Sequence, residues 1–255
     1  MLRCVILAAG RGSRLGAGSG SKPLSRLQGR ALIDWVILSA RQAGVREFVV
    51  VTGFARDALE RHLGVLAGRL QVRIDCAFNP EWRRGNGTSA SCARALAGDP
   101  FLLLMADHVF DPGILTRLMG ERPAPGELVL AADFGIRHHP TADLEDVTRV
   151  FAENGRIVRI GKGLEVYTAF DTGIFLCTSA LFDALAESQG AGDASLTGGV
   201  RALAARGAAR VMDIGSRSWV DVDDEPALAL ADRMLATAAA VGDGGEAVRP
   251  NEMVR

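Results

Sequence analysis

The sequence lacks an apolar run long enough to cross a membrane, which takes about 18 residues. Its most apolar long segment, residues 226–241, is interrupted by Asp232 and Arg233. Near the N-terminus, Arg3 is followed only by CVILAA before Gly10, which is too short for the apolar core of a secretory signal. We therefore expect no membrane insertion and a cytoplasmic protein.

Cysteine is also scarce, and neither sign of charge dominates. The four cysteines are widely spaced and form no CxxC pair, so we expect neither a zinc site nor a disulfide framework, and a reducing compartment fits. The 29 Lys and Arg residues nearly balance the 30 Asp and Glu residues, which excludes a basic field over the whole chain. Nucleic acid is therefore not a predicted partner.

Lysine is the rarest of the charged side chains, since Lys22 and Lys162 are the only two among the 29 basic residues. An ammonium is a compact point charge, whereas a guanidinium is planar and forked. The two lysines therefore either mark places where a compact cation is needed or are ordinary surface residues.

Short apolar runs alternate with amphipathic segments along most of the chain. This alternation predicts an α/β fold, with a mixed, mostly parallel sheet flanked by helices in a single Rossmann-like domain. In such sheets the ligand crevice lies at the carboxyl ends of the strands. The predicted strands are 3–9, 47–53, 71–77, 101–106, 127–133, 173–177 and 209–214, and the predicted helices are 31–43, 55–67, 87–97, 111–119, 179–188, 196–206 and 226–240.

Two segments interrupt the pattern. Periodicity weakens over 134–170, apart from the strand-like pieces 148–151 and 156–160, which indicates an inserted lid or a substrate-side subdomain. Residues 241–255 lose periodicity and gain glycine and charge, which is typical of a flexible tail. We therefore predict one domain over residues 1–240.

The loop after the first strand reads AAGRGSRLGAGSGSKPL (8–24). Gly10 and Gly12 allow a tight turn whose N–H groups can approach an anion, and Arg11, Arg14 and Lys22 add positive charge. The loop matches neither the G-x-G-x-x-G dinucleotide fingerprint nor the P-loop. It is predicted to bind phosphate.

The residues LAAGRGSRLG (7–16) followed by SKPL (21–24) resemble the signature of the sugar-phosphate nucleotidyltransferase superfamily, which includes the MobA-like NTP transferases. The resemblance implies the nucleotide-diphospho-sugar transferase fold and an enzyme that joins a nucleoside triphosphate to a phosphorylated sugar or polyol, with release of pyrophosphate. It also implies that Lys22 neutralises charge at the α-phosphate. The residues that would bind the triphosphate are Leu7, Ala8, Ala9, Gly10, Arg11, Gly12, Ser13 and Arg14.

Acidic residues follow two predicted strands. In FLLLMADHVF (101–110), a predicted buried strand ends at Asp107, where a carboxylate faces the crevice and could hold Mg²⁺. The alternative role, a helix cap, suits Asp111 better. In WVDVDDEPAL (219–228), Asp221 and Asp223 point the same way if the chain is extended, and one acid of this cluster starts the last helix. In the resembled family a carboxylate from this region completes the metal site, so both are candidates.

Lys162 lies in IGKGL (160–164), shortly before DTGIF (171–175). This pattern, with MADHV (105–109) and WVDVDDEPALALA (219–231), resembles a narrower group, the inositol-1-phosphate cytidylyltransferases. The resemblance implies that Lys162 holds the acceptor phosphate, with Asp171, Thr172 and Gly173 beside it. In many members of that group this domain is fused to a membrane-embedded transferase. Because this sequence contains no such segment, we expect a stand-alone form here.

The segment NPEWRRGNGTSAS (79–91) opens a helix after a glycine turn. Its free N–H groups could contact a base, although Thr88 or Ser89 could equally be an N-cap. The resemblance favours base recognition by Asn86, Gly87, Thr88 and Ser89, with Thr52 and Gly53 on the same wall. His138 and His139 are more typical of a solvated loop than of a metal site.

Two functions remain open. One is an enzyme in which a phosphate oxygen of the acceptor attacks the α-phosphorus of the nucleotide in line. This enzyme would use Mg²⁺ and favour CTP, and the protein could form a homodimer. The other is a nucleotide-binding module without chemistry, which the retained cations and acids argue against. Among enzymes, hexose-1-phosphates, phosphocholine, phosphonates and the molybdopterin cofactor are alternative acceptors.

Overall fold

The computed structural model describes residues 2–12, 21–135 and 147–242, without side chains for 239–242. The strands are β1 (Arg3–Leu7), β2 (Arg26–Leu27), β3 (Arg30–Ala31), β4 (Glu47–Thr52), β5 (Arg73–Phe78), β6 (Phe101–Met105), β7 (His108–Phe110), β8 (Leu128–Asp133), β9 (Arg149–Glu153), β10 (Arg156–Gly161), β11 (Ala169–Cys177), β12 (Ala209–Asp213) and β13 (Trp219–Asp221). The helices are α1 (Leu32–Gln42), α2 (Arg56–Leu70), α3 (Asn86–Cys92), α4 (Pro112–Leu118), α5 (Ala180–Gly190), α6 (Leu196–Ala205) and α7 (Glu225–Gly242), and Lys22–Leu24 forms a 3₁₀ turn.

Nine strands form one mixed sheet in the order β5-β4-β1-β6-β11-β8-β12-β10-β9. The first four run parallel to one another. β11 runs antiparallel to both β6 and β8, and β12 is again parallel to β8. β9 also pairs with β11, which closes the last five strands into a ring. The predicted mixed α/β sheet is confirmed. Its parallel pairings are the three among the first four strands and that of β8 with β12, and its other pairings are antiparallel.

The central strands are apolar on both faces because helices cover both. Alternate residues of β1 face opposite ways: Cys4 and Ile6 join a core with α1, α2 and α4, whereas Val5 and Leu7 join a core with α3, α5 and α6. A smaller third cluster packs α7 against β7 and β13. This three-layer packing is why these strands read as continuous hydrophobic runs.

Every predicted strand and helix corresponds to an observed one, with ends that shift by a few residues. The largest differences are at α3, which ends at Cys92 rather than at 97, and at β11, which begins at Ala169 rather than at 173. The sequence did not predict the two-residue pair β2–β3 or the antiparallel ribbon of β7 and β13, in which His108 lies opposite Asp221. That ribbon brings the two acidic segments together.

The strand-like pieces 148–151 and 156–160 are β9 and β10. They belong to the main sheet, so the described part of the 134–170 segment is continuous with the domain. Residues 136–146, on which a lid would depend, and residues 243–255, most of the predicted tail, lie outside the described residues. Among the helices within the described ranges, none has both the length and the apolar character that a membrane crossing requires.

Candidate active site

The carboxyl ends of β4, β1 and β6 meet at one edge of the sheet. Backbone hydrogen bonds continue the pairing past the strands: Ala8 N donates to Val51 O at 3.0 Å, and Ala106 N donates to Leu7 O at 3.1 Å. The loop that begins at Ala8 is therefore held beside the turn that carries Asp107. This is the edge at which a ligand crevice is predicted.

Gly53 allows the neighbouring loops to approach closely. A Cβ atom at Gly53 would lie 2.7 Å from both Ala9 O and Trp82 Cβ, so a larger residue does not fit. The side chain of Thr52 is fully buried, and its hydroxyl donates to Glu60 Oε1 at 2.9 Å. Thr52 therefore fastens β4 to α2, while Gly53 forms part of the wall beside the first loop.

Lys22 is the centre of the site. It lies on the 3₁₀ turn, is only 5% exposed, and directs its ammonium towards three carboxylates. Nζ is 2.6 Å from Asp107 Oδ2, in direct contact with Asp223 Oδ1, and 3.7 Å from Asp221 Oδ1. The structure thus brings together one residue from the first loop and three from segments about 85 and 200 residues away.

Gly12 makes room for Lys22. Its φ of +63° lies in the left-handed region, and a Cβ there would overlap the Cβ of Lys22. Gly10, by contrast, has open space around the position of a Cβ. Of Gly10 and Gly12, Gly12 is therefore the one required to place the lysine.

His108 is a residue of this site that the sequence analysis missed. It is 8% exposed, and its Nδ1 lies 2.9 Å from Asp107 Oδ1 and 3.8 Å from Asp221 Oδ1. Its ring stacks on that of Trp219, with the ring centroids 6.0 Å apart and the planes inclined by 13°. The only signal in the sequence is its place next to Asp107 in the MADHV stretch.

The charges in the cluster shift one another's pKa values. Burial alone would lower the pKa of Lys22, but Asp107, Asp221 and Asp223 raise it above its usual range. Burial alone would also lower the pKa of His108, but Asp221 and Asp107 raise it to about 9. Both groups are therefore positively charged at neutral pH.

The carboxylates respond unequally. Although burial opposes it, Lys22 and His108 hold the pKa of Asp107 well below its usual range. Burial, together with the negative charge of Asp107 and Asp223, raises the pKa of Asp221 to about 6 despite His108 and Lys22. Of these two carboxylates, the negative charge of Asp221 is therefore the less stabilised by its surroundings.

The cluster fits a divalent cation. Ligand atoms of Asp107, His108 and Asp221 all lie within 4.8 Å of one another. Asp221 Oδ1 is shielded from solvent yet has no hydrogen-bond partner among the described residues. Carboxylate oxygens are the ligands that Mg²⁺ takes in proteins. Two of the predicted metal residues, Asp107 and Asp221, are in this group, while Asp223 lies beside it in contact with Lys22.

A cavity of about 660 Å³ opens beside this cluster. Its lining includes Asp107, Asp221 and Asp223 as well as three residues that the sequence predicted for the acceptor, Lys162, Asp171 and Gly173. Lys162 is exposed at the turn after β10. The cavity is large enough for a small phosphorylated molecule.

The DTG segment of β11 is an irregular stretch of the sheet. The register shifts between Asp171 and Phe175, Gly173 has a φ of +71°, and Gly173 N donates to Asp171 Oδ1 at 2.8 Å. Burial raises the pKa of Asp171 to about 6, although the Gly173 hydrogen bond and His108 oppose the rise. Unlike Asp171 and Gly173, Thr172 is fully buried, and its hydroxyl donates to Ala131 O. The structure therefore does not bring the Thr172 side chain to the cavity.

The predicted base-binding segment packs against the start of α6. A Cβ at Gly87 would lie 2.6 Å from Ser195 O, and Asn86 Oδ1 accepts a hydrogen bond from Leu196 N at 2.8 Å. Asn86 lines the cavity. Thr88 Oγ1 is buried without a hydrogen-bond partner among the described residues, so the N-cap interpretation does not account for it.

Ser89 of the predicted base-binding segment and Arg11 of the first loop make contacts of different kinds. Ser89 Oγ accepts from Asn79 Nδ2 at 3.0 Å inside the protein, which is a structural contact. The guanidinium of Arg11 lies 5.4 Å from the centre of the Phe54 ring. Ser13, Arg14, His138 and His139 lie outside the described residues.

Comparison with known proteins adds the decisive observation. The model of the MobA-like NTP transferase domain family matches residues 4–243. The chain belongs to this family. The MobA-like match confirms the predicted nucleotidyltransferase family, and it covers the first loop, all three carboxylates and Lys162.

Individual known proteins resemble the chain over nearly its whole length. A "Bifunctional IPC transferase and DIPP synthase" of Rubrobacter xylanophilus is 35% identical over 246 residues, which is 96% of this chain and 54% of that protein. A protein of the same name from Thermococcus kodakarensis is 31% identical over 249 residues, 95% of this chain and 52% of that protein. The chain thus spans about half the length of these relatives.

A solved structure of the inositol-1-phosphate CTP transferase from T. maritima has the same fold. The TM-score is 0.82 at 23% identity, over 97% of this chain and 98% of that one. The predicted nucleotide-diphospho-sugar transferase fold is therefore confirmed.

Proposed function

We propose that this chain transfers a cytidylyl group from CTP to inositol-1-phosphate, giving CDP-inositol and pyrophosphate, with Mg²⁺. The observation that carries the proposal is the cluster of Lys22 with Asp107, Asp221 and Asp223 beside a cavity that also borders Lys162. The two lysines of the chain are thus at one site, one at the carboxylate cluster and one at the cavity rim. That arrangement suits a reaction between two phosphates.

The nucleotide occupies the first-loop side in this proposal. The backbone N–H groups beyond Ala8, whose own N–H is bonded to Val51 O, and the side chain of Arg14 bind the triphosphate, and Lys22 neutralises charge at the α-phosphate. Asn86 and Thr88 contact the base and the sugar, whereas Gly87 and Ser89 hold the segment against its neighbours, and Gly53 belongs to the wall beside the first loop. The buried, unpartnered hydroxyl of Thr88 supports a polar ligand at this wall.

The carboxylates bind the metal. Asp107 and one or both of Asp221 and Asp223 would hold Mg²⁺, and the shielded, unpartnered Asp221 Oδ1 supports that assignment. A bound divalent cation would offset the negative charge of the phosphates and the repulsion among the carboxylates.

The acceptor enters the cavity. Lys162 is an exposed cation on its rim and binds the acceptor phosphate as a point charge. Asp171 is half-buried beside it and accepts hydrogen bonds from hydroxyl groups of the polyol. Gly173 leaves space on the same wall.

The reaction needs no covalent intermediate. A phosphate oxygen of the acceptor attacks the α-phosphorus of CTP, the new P–O bond forms on one side, and the bond to the β-phosphate breaks on the other. The electron pair of the broken bond leaves with pyrophosphate. Lys22, Lys162 and Arg14 supply positive charge around the phosphate oxygens of the two substrates. The protein therefore acts by positioning the substrates and by neutralising their negative charge.

The names of the relatives support the choice of acceptor. The curated relatives named above are IPC transferases and DIPP synthases, and the solved structure with the same fold is an inositol-1-phosphate CTP transferase. Because the chain covers about half of the bifunctional relatives, only the nucleotidyl transfer is proposed for it. A cytoplasmic location and a homodimer, which light scattering would detect, remain predictions.

A pyrophosphate-release assay tests the proposal. The protein with Mg²⁺ is mixed with each of the four nucleoside triphosphates and each of a panel of acceptors: inositol-1-phosphate, hexose-1-phosphates, phosphocholine and phosphonates. The proposal expects release only with CTP and inositol-1-phosphate together. Turnover of a different nucleotide and acceptor would show that the proposed substrates are wrong. Binding of Mg²⁺–CTP in calorimetry without turnover of any pair would favour a binding module.

A further inference from the structure

The side chain of His108 is held from several sides in a way that fixes its orientation. Its ring stacks on Trp219, whose Nε1 donates to Asp133 Oδ2 at 2.9 Å. On another side, the backbone of Gly173 comes so close that a Cβ there would lie 2.9 Å from His108 Nε2. The backbone of His108 also pairs with that of Asp221 in the ribbon of β7 and β13.

This clamp aims one nitrogen at the carboxylates. Nδ1 is 2.9 Å from Asp107 Oδ1, while the other oxygen of Asp107 contacts Lys22. An ionised carboxylate only accepts hydrogen bonds, so the proton of this contact is on Nδ1. Both oxygens of Asp107 are therefore tied to donors, which leaves its plane little freedom to rotate.

We infer that His108 is a positioning residue, which donates from Nδ1 to Asp107 and so holds that carboxylate in the orientation in which it binds the divalent cation beside Asp221. This inference rests on the metal-dependent function proposed above. It assigns His108 no direct contact with the metal. Groups that orient metal ligands in this way typically change metal affinity about 10–100-fold when removed.

Two substitutions separate the hydrogen bond from the packing. His108→Phe keeps a flat ring on Trp219 but removes the donor. His108→Asn loses the ring but can place an amide N–H near the position of Nδ1. The matched control is His62→Phe, since His62 makes a similar contact with Asp34, at 2.5 Å from Nε2 to Oδ1, in another part of the protein.

Mn²⁺ alone is the probe, and its dissociation constant is measured from the free Mn²⁺ EPR signal with the full chain, after circular dichroism has shown that each variant is folded. We expect His108→Phe to weaken Mn²⁺ binding at least about 10-fold, His108→Asn to stay within threefold of wild type, and His62→Phe to bind like wild type. Electron spin-echo spectra of wild type should show no directly coordinated nitrogen.

Four results overturn the inference. The first is His108→Phe binding Mn²⁺ as well as or more tightly than wild type, as removal of a positive charge alone would produce. The second is an equal loss of Mn²⁺ affinity in His108→Phe and His108→Asn. The third is a nitrogen coordinated to Mn²⁺ in wild type. The fourth is a wild type that binds no Mn²⁺, which also removes the metal from the proposed function. Absence of turnover with CTP and inositol-1-phosphate, with the Mn²⁺ pattern as expected, would contradict the proposed substrates alone.

Discussion

Replacing Lys22 with methionine tests whether the ammonium and a divalent cation serve the same carboxylates. Methionine keeps the length of the side chain and removes the charge. The Lys22 side chain is 6% exposed, whereas those of Asp107, Asp221 and Asp223 are 26%, 41% and 33% exposed. Losing one partner costs about 3–5 kcal/mol for a buried pair and up to about 1 kcal/mol at the surface, so we expect about 2 kcal/mol here.

For a chain of this size, that loss corresponds to a fall in Tm of about 4–8 °C in EDTA. The matched control is Lys162→Met, which removes the other lysine from an exposed site and should change Tm by less than about 2 °C. Adding Mg²⁺ should raise the Tm of Lys22→Met more than that of wild type, because the metal no longer competes with an ammonium.

Differential scanning fluorimetry with and without Mg²⁺ measures all three proteins. An unchanged Tm for Lys22→Met in EDTA would refute the idea that the ammonium stabilises the cluster. An equal Mg²⁺ response in Lys22→Met and wild type would refute the shared site. The first result would show that the contacts of Lys22 carry little free energy, and the second that the ammonium and the metal do not compete.

Three further substitutions test other parts of the site. Asp107→Asn should lower turnover at least about a hundredfold, as loss of an ion-clamp group does, without unfolding the protein, whereas Asp111→Asn, at the cap of α4, should keep turnover; near-normal turnover of Asp107→Asn would exclude it as a metal ligand. Gly12→Ala should lower turnover at least about tenfold because a Cβ overlaps Lys22, whereas Gly10→Ala, with open space, should stay within about threefold, and the reverse order would contradict the packing argument. Lys162→Ala should raise the KM for inositol-1-phosphate at least about tenfold and leave that for CTP unchanged, and steady-state kinetics showing the opposite would move Lys162 to the nucleotide side.

Much of this site could be predicted because the chemistry lies where strands end. Asp107 follows a run of buried residues, and Lys22 follows the glycine loop after β1. Parallel strands place their carboxyl ends at one edge, so residues 85 positions apart in the sequence meet there. The rarity of lysine in the sequence also marks Lys22 and Lys162, which both lie at this site.

The rest of the site depends on features too short to leave a pattern. The ribbon of β7 and β13 pairs only three residues of each strand. An alternation of apolar and polar residues over so short a stretch is too brief to predict a strand. Without that pairing, nothing relates His108 to Asp221 or Trp219, and a single histidine in an apolar stretch has no distinguishing signal. The direction of β11 was equally hidden, because an apolar run indicates burial but not orientation.

Cytidylyl transfer to inositol-1-phosphate can be observed by ³¹P NMR of the protein with Mg²⁺, CTP and inositol-1-phosphate. We expect signals of pyrophosphate and of a diphosphate diester, both dependent on both substrates and both lost with Asp107→Asn. Spectra that show only CTP and inositol-1-phosphate after prolonged incubation would contradict it.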